Sequence, residues 1–300
     1  GHAVEGIHLQ LLGGLPLPPG SAAPAAEDAR AVAEKLGVPI HFLDLSREFR
    51  ESVAADFVAE YQAGRTPNPC IVCNRRIKFG AMLDAALSLG GDSLATGHYA
   101  RIRYDAASGR WLLLRGTDPA RDQSYFLYRL TQFQLAHTLF PLGEMEKPAI
   151  RDLAEEAGLV TARKRDSQDI CFVPDGDYAA FIARRMGEES PEGDFLDEEG
   201  NILGRHRGFL RYTRGQHKGL GLVTERPLYV QRKDPVTKAI YLGPDEALYS
   251  REATVRDCNW IAAEDLTEPR RVTAKIRHSR RDCPATVEPL GDGRVRILFD

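Results

Sequence analysis

Cysteine is scarce, with five in 300 residues. That excludes a disulfide-built secreted scaffold and points to a reducing compartment, the cytoplasm. No apolar run approaches the roughly 18–20 residues of a membrane span, and no charged-then-apolar leader opens the chain, so no membrane partner is expected. A surplus of one charge is missing too. Forty Lys and Arg stand against 43 Asp and Glu, a formal −3 with a sequence pI of about 6.3. This balance gives no global sign of nucleic-acid binding, and any polyanion has to meet a local basic surface. Internal repeats are absent. Hydrophobic residues at 43% and charged residues at 28% suit a soluble chain with sizeable cores. The length suits two or three domains.

Ala3–Leu12 reads as a strand with no helix or cap before it, and the alternating strand Arg294–Phe299 stops at Asp300. Both ends read as cut. Between them, a Pro- and Gly-rich stretch at 13–26 precedes a helix from Glu27 to Leu36 that Gly37 stops. Val38–Leu45 reads as a strand and Glu48–Tyr61 as a helix. The prolines of Thr66-Pro67-Asn68-Pro69-Cys70 forbid regular helix there. Phe79, Met82, Leu83, Ala86 and Leu87 then mark one helical face. A short strand, Ser93–Thr96, runs into Gly97-His98-Tyr99. Arg101–Arg115 reads as a hairpin, and two helices flank Phe140-Pro141-Leu142-Gly143. Alternating strands and helices predict an α/β unit whose parallel sheet is covered on both faces, with ligands beyond the carboxyl ends of its strands. After about Asp175 the composition turns acidic, then Gly-rich and basic, then strand-rich. The division expected is 1–175, a small central domain 176–246, and a β-rich domain 247–300.

Three cysteines lie in polar, turn-rich sequence: Cys70 and Cys73 as a Cys-x-x-Cys pair, and Cys171 far downstream. A thiol needs a lowered pKa to act near neutrality. Arg75, Arg76 and Lys78, together with a helix starting near Asn74, are candidates to lower that of Cys73. Thiols meeting from distant segments can exchange persulfide, thiolate and disulfide. A chance pair or a zinc half-site is as good a reading of the spacing alone, and three cysteines also suit an iron–sulfur cluster on Cys70, Cys73 and Cys171. Cys258 and Cys283 sit in strand-like sequence and complete no zinc motif.

Gly97-His98-Tyr99 offers close backbone approach, a titratable ring and a stacking ring, although a turn histidine is more often structural. Asp122 in Arg121-Asp122-Gln123-Ser124-Tyr125 reads as a cap to an apolar helix, or its planar polar neighbours contact a nucleotide. Asn201–Leu222 carries Arg205, Arg207, Arg211, Arg214 and Lys218 with no acid, and Arg270–Arg281 carries six basic residues with none. In the second run, alternation places Arg271, Thr273, Lys275 and Arg277 on one strand face and Val272, Ala274 and Ile276 on the core face. Two such runs in an acidic chain favour nucleic-acid binding over a merely solvated surface.

Taken together, Gly64–Phe79, Ala95–Arg101, Asp122–Leu127, Phe140–Gly143, Asp166–Phe172, Tyr212–Leu220 and Cys258-Asn259-Trp260 resemble the tRNA-specific 2-thiouridylases. The resemblance implies an ATP-pyrophosphatase-like α/β domain, a central tRNA-binding domain and a β-barrel-like domain. It implies ATP with Mg2+ as cosubstrate, tRNA rather than DNA as partner, and a sulfur-donor protein. ATP would adenylate O2 of the wobble uridine, and a persulfide on Cys171 would deliver sulfur with Cys73 releasing it. Asn68, Pro69 and Cys70 match the stretch lying against the target base. Leu9 and Gly97 match ATP-contacting positions, and His98, Arg121, Asp122, Gln123, Arg277 and His278 match tRNA-contacting ones.

Two departures stand out. The family commonly has Asp where this chain has Cys70, which leaves that acid's proton-transfer role open and completes a three-cysteine set. The family's Ser-Gly-Gly-x-Asp-Ser phosphate loop occurs nowhere in residues 1–300. The expectation is therefore an incomplete form that does not bind ATP normally, with an empty central sheet position. The rival expectations are a non-catalytic RNA-binding module with a structural cluster, and an amide-forming ligase with a small-molecule substrate.

Overall fold

The computed structural model describes residues 2–18, 25–164, 170–278 and 281–300. The fold is mixed α/β. β1 (Gly6–Gln10) pairs in parallel with β2 (Ile40–Asp44), Leu9 opposite Leu43, across the helix Ala25–Leu36. β3 (Leu94–Ala95) pairs in parallel with β6 (Thr138–Leu139). Between them β4 (Ala100–Asp105) and β5 (Arg110–Arg115) form the hairpin read from the sequence, turning through Gly109 at a φ of 66° that only glycine adopts freely. The single parallel sheet expected from the sequence is instead two short pairs, with no ladder joining them among the described residues. Side chains join them: Ile7, Leu9 and Leu45 pack on a core of Phe79, Leu83, Leu94 and Leu127.

Two helices shape the site. Residues 46–62 are helical throughout, with a π-helical segment Arg50–Ala54. A second helix fills 69–88: a first turn Pro69–Cys73, a π-helical stretch Asn74–Met82, and Leu83–Ser88. Pro69 does not bar this helix as the sequence reading held. It occupies the first turn, where no backbone N–H is needed, and Asn68 caps it by accepting from the Cys70 amide at 3.2 Å. The wider π turn is served from outside, since Gln134 donates through Nε2 to the carbonyls of Phe79 (2.6 Å) and Arg75 (3.2 Å). The same Gln134 closes a capping box with Thr131 on the short helix Gln132–Ala136. Asp122, expected to cap an apolar helix, precedes only the single turn Ser124–Phe126.

In the central region β7 (Gly193–Leu196), β8 (Ile202–His206), β9 (Tyr229–Lys233) and β10 (Ile240–Gly243) form one sheet in the order β8-β7-β10-β9. Its core is continuous with the first region: Phe49, Phe57 and Phe172 meet Phe181, Phe195, Phe209 and Ile240 in one buried cluster. β11 (Glu252–Val255), β12 (Arg270–Ala274), β13 (Cys283–Pro289) and β14 (Val295–Phe299) form an antiparallel sheet over a separate small core of Leu266, Val287 and Val295. No closed barrel is present among the described residues. The alternation expected through Ile276 ends at Ala274: Val272 packs inward, but Ile276 is 63% exposed because the chain has left the strand.

The C-terminal sheet is fastened to the first region by directional contacts. Asn259 donates to the carbonyls of Tyr128 and Leu130, and Arg110 to those of Trp260 and Ile261. Arg115 pairs with Asp282. No helix among the described residues is long and apolar enough to cross a membrane.

Candidate functional site

Beyond the carboxyl ends of β1 and β3 lies a cavity of about 360 Å³, lined by Leu9, Lys78, Met82, Thr96, Gly97, His98 and Gln123. The parallel strands place Leu9 and Thr96-Gly97 there, and the π-helical stretch supplies Lys78 and Met82. Gly97 leaves the wall open: a Cβ there would meet only the tip of Leu142, at 3.5 Å. An apolar floor beside a bare backbone fits the flat face of a purine ring. No carboxylate lines the cavity, so its described residues do not by themselves fit Mg2+, and no step is assigned to that ion. A larger depression of about 630 Å³, lined by Glu48, Glu51, Arg75 and Arg76 among others, includes no cysteine.

The structure brings the three cysteines together at the lysine end of this cavity. Cys70 is in the first turn of the helix 69–88, and Cys73 is buried where the π stretch begins. Cys171 is exposed in a turn closed from Val173 to Ile170. Its neighbour Phe172 is 1% exposed and packs edge-on against Phe57 at 5.3 Å and Phe49 at 5.4 Å. One anchored ring thus fixes the exposed thiol beside it. The three thiols sense one another electrostatically, and each is lowered by Lys78. Burial outweighs that help. It raises the thiols of Cys70 and Cys171, although both residues reach the surface, and pushes Cys73 up to about 12. Two sequence expectations are corrected here: the helix begins five residues before Asn74, so its N-terminal dipole serves Cys70, and Cys73 is protonated near neutrality. All three thiols are free. Among the described residues, no group of three His, Cys, Asp or Glu is disposed to hold a metal ion. The Cys70–Cys73–Cys171 set therefore does not fit an iron–sulfur cluster in this arrangement.

His98 and Tyr99 are buried, not presented for titration or stacking. Desolvation first, and Lys78 second, push His98 down to about 3, and its Nδ1 lies 2.8 Å from Thr96 Oγ1. The unfolded ring titrates near 6.5. Below that pH the unfolded chain binds a proton the folded one refuses, so stability should fall as pH drops from 6.5 toward 3, by up to about 1.4 kcal/mol per unit. Above 6.5 the ring contributes no slope. Denaturant melts at pH 7 and pH 5 check this, and His98→Gln should flatten the difference.

Gln123 and Tyr99 bond reciprocally: the Gln123 amide donates to the Tyr99 carbonyl at 2.8 Å, and Gln123 Oε1 accepts from the Tyr99 amide at 2.9 Å. Asp122 accepts from the amides of Gly116 and Ser124 and from the Ser124 hydroxyl, a loop-fastening role. Arg121 is exposed beside them. The segment after β12 arrives at the same place. The His278 ring lies 4.6 Å from Phe126 and 5.8 Å from Tyr125, while the exposed Arg277 guanidinium faces Gly215. Arg121–Gln123, Arg277 and His278 thus share one edge, which Arg277 links to Gly215 beside Arg214; Arg205, Arg207, Arg211, Arg214 and Lys218 of that basic stretch are all exposed. Buried Asn74 ties this edge to the cysteine helix, donating to the Phe126 carbonyl at 3.1 Å. Asn74 and the central place of Lys78 were not read as site features from the sequence. The Asn directly after Cys73 was the one available hint. Of the matched segment Asp166–Phe172, residues 166–169 lie outside the described residues.

Residues 1–175 match the family model "tRNA methyl transferase HUP domain", 179–244 "tRNA methyl transferase PRC-barrel domain", and 250–300 "Aminomethyltransferase beta-barrel domain". A protein of Acetivibrio thermocellus, "tRNA-specific 2-thiouridylase MnmA", is 49% identical over 276 residues, 92% of this chain and 77% of that protein. Relatives of the same name from Clostridioides difficile and Magnetococcus marinus are 46% and 48% identical, over 92% and 91% of this chain and 76% of each of theirs. With identity at this level across nearly its whole length, the chain belongs to the tRNA-specific 2-thiouridylase family.

Proposed function

We propose that this protein transfers sulfur to C2 of the wobble uridine of tRNA, with Cys171 carrying the sulfur and Cys73 releasing it. The observation that carries the reading is that Cys171 lies within electrostatic reach of Cys70 and Cys73, brought from a distant segment to the lysine end of a strand-end cavity, with all three thiols free. ATP, when bound, makes O2 of the base a leaving group as AMP. Leu9 and Gly97 would hold its adenosine, the bare backbone at Gly97 allowing close approach. The base would reach the thiols splayed out of its loop, against Asn68, Pro69 and Cys70. The terminal sulfur of the Cys171 persulfide forms the bond to C2 as the C2–O bond breaks. The Cys73 sulfur then attacks Cys171 Sγ. The bond between the two persulfide sulfurs breaks, its electron pair stays with the sulfur on C2, and a Cys73–Cys171 disulfide remains for an external thiol to reduce.

Arg121, Gln123, Arg277 and His278, with the exposed arginines after β8, form the tRNA edge of this reading; buried His98 and the loop-fastening Asp122 support that edge from behind. The sulfur comes from a donor protein, and the compartment is the reducing cytoplasm. The ATP-dependent step belongs to a form that carries a phosphate-binding loop, which residues 1–300 do not contain.

Sulfur loading does not need ATP and tests the reading directly. Incubation with a cysteine desulfurase and 35S-cysteine should place thiol-labile label on the chain. Cys171→Ser should abolish it and Cys70→Ser should retain it. Label that persists in Cys171→Ser would assign the carrier elsewhere.

A further inference from the structure

Lys78 has no carboxylate partner among the described residues, yet it stands where two parts of the site join. It lines the cavity beside Gly97 and Gln123, and its charge reaches all three thiols and His98. The helix explains how. In a regular α-helix, a residue five positions after Cys73 is turned well away from it. The stretch Asn74–Met82 is π-helical, and its wider turn swings the fifth residue back toward the face that bears the thiol. Gln134 holds that register by bonding the carbonyls of Arg75 and Phe79. Lys78 is half-buried, which strengthens its field and spares it much of the screening that weakens Arg75 and Arg76 at the exposed surface.

We infer that Lys78 is the anion-holding residue of this site: its ammonium, set by the π register, receives the phosphate of a nucleotide in the cavity and faces the sulfur centres from the same spot. The inference deepens the sulfur-transfer reading and rests on it for the identity of the substrate. In that reaction, negative charge appears in turn on the attacking persulfide, on the departing AMP and on the released sulfur. One fixed cation between them serves all three positions without reorganising. It also offsets the cost of forming an anion among thiols that burial otherwise keeps protonated.

The test reads the local charge and not the reaction. Alkylation rates of Cys70 and Cys171 with anionic iodoacetate and neutral iodoacetamide, resolved by peptide mass spectrometry, give a ratio that reports positive charge beside each thiol. Relative to free N-acetylcysteine, the ratio should be raised several-fold at both cysteines. Lys78→Met should bring it down to the free-thiol value, and Lys78→Arg should restore it. AMP at millimolar concentration should lower the ratio in the unaltered chain and leave it unchanged in Lys78→Met. A ratio in the unaltered chain no higher than that of N-acetylcysteine overturns the inference even if Lys78→Met fails to fold. So does a folded Lys78→Met chain with an undiminished ratio. Either result leaves the labelling test of Cys171 standing on its own.

Discussion

Cys73→Ser should leave Cys171 able to load sulfur and yet reduce 2-thiouridine formation on tRNA by on the order of 10³-fold, about 4 kcal/mol of barrier. The assay is a single turnover in a form carrying the phosphate loop. The split between loading and delivery is the informative part. Cys171 is exposed, open to a donor protein of the proposed kind, whereas Cys73 is 9% exposed with a thiol raised to about 12. A buried, protonated thiol is a poor acceptor of sulfur from a large donor but is well kept as the group that resolves a persulfide adduct. Serine preserves its size and removes the nucleophile. The expected product is tRNA held covalently through sulfur on Cys171 and released by added thiol. Thiolation within tenfold of the unaltered enzyme, with no adduct, would remove Cys73 from the mechanism.

Gly143→Ala should cost more than about 3 kcal/mol, enough to leave much of the chain unfolded near 37 °C. A Cβ built at Gly143 falls onto the Ala100 carbonyl oxygen, a backbone atom that cannot rotate aside. The carbonyl of Gly143 meanwhile accepts from the Thr117 amide, pinning the Phe140–Gly143 turn to the strand end beside Tyr99. Moving the turn to make room would pull on Phe140, whose ring packs on Phe79 and His98 at 5.7 Å. Thermal melts followed by circular dichroism decide this. A midpoint within about 2 °C of the unaltered chain would show that the turn yields freely.

The sequence shows the alternation of strand and helix plainly, because Gly37 ends its helix and Gly109 turns its hairpin, at φ of 67° and 66°. It shows the cysteines, the Gly97 turn and both basic runs for a similar reason: polar and reactive residues in turns stand out against an apolar pattern. The π register is not legible in the same way. Phe79, Met82, Leu83, Ala86 and Leu87 satisfy an α-helical face equally well, and the outside bonds that select the wider turn come from Gln134, far along the chain. Pro69 misled because one proline serves both to break a helix and to begin one, and only the cap at Asn68 distinguishes the two. The states of His98 and Cys73 depend on burial by distant segments, which local sequence does not record. Ile276 likewise keeps the strand pattern after the strand has ended.

The aromatic cluster around Phe172 has a consequence for how the molecule comes apart. Three family models divide the chain, but its described interior does not follow the boundary between the first two, because Phe49 and Phe57 share a core with Phe181, Phe195 and Phe209. Severing the chain near residue 175 would therefore not free an autonomous unit. It would split one cooperative body and expose its aromatic seam on both halves. The C-terminal sheet, whose small core is its own, is the part a hinge or a protease could part from the rest while the cysteines kept their places.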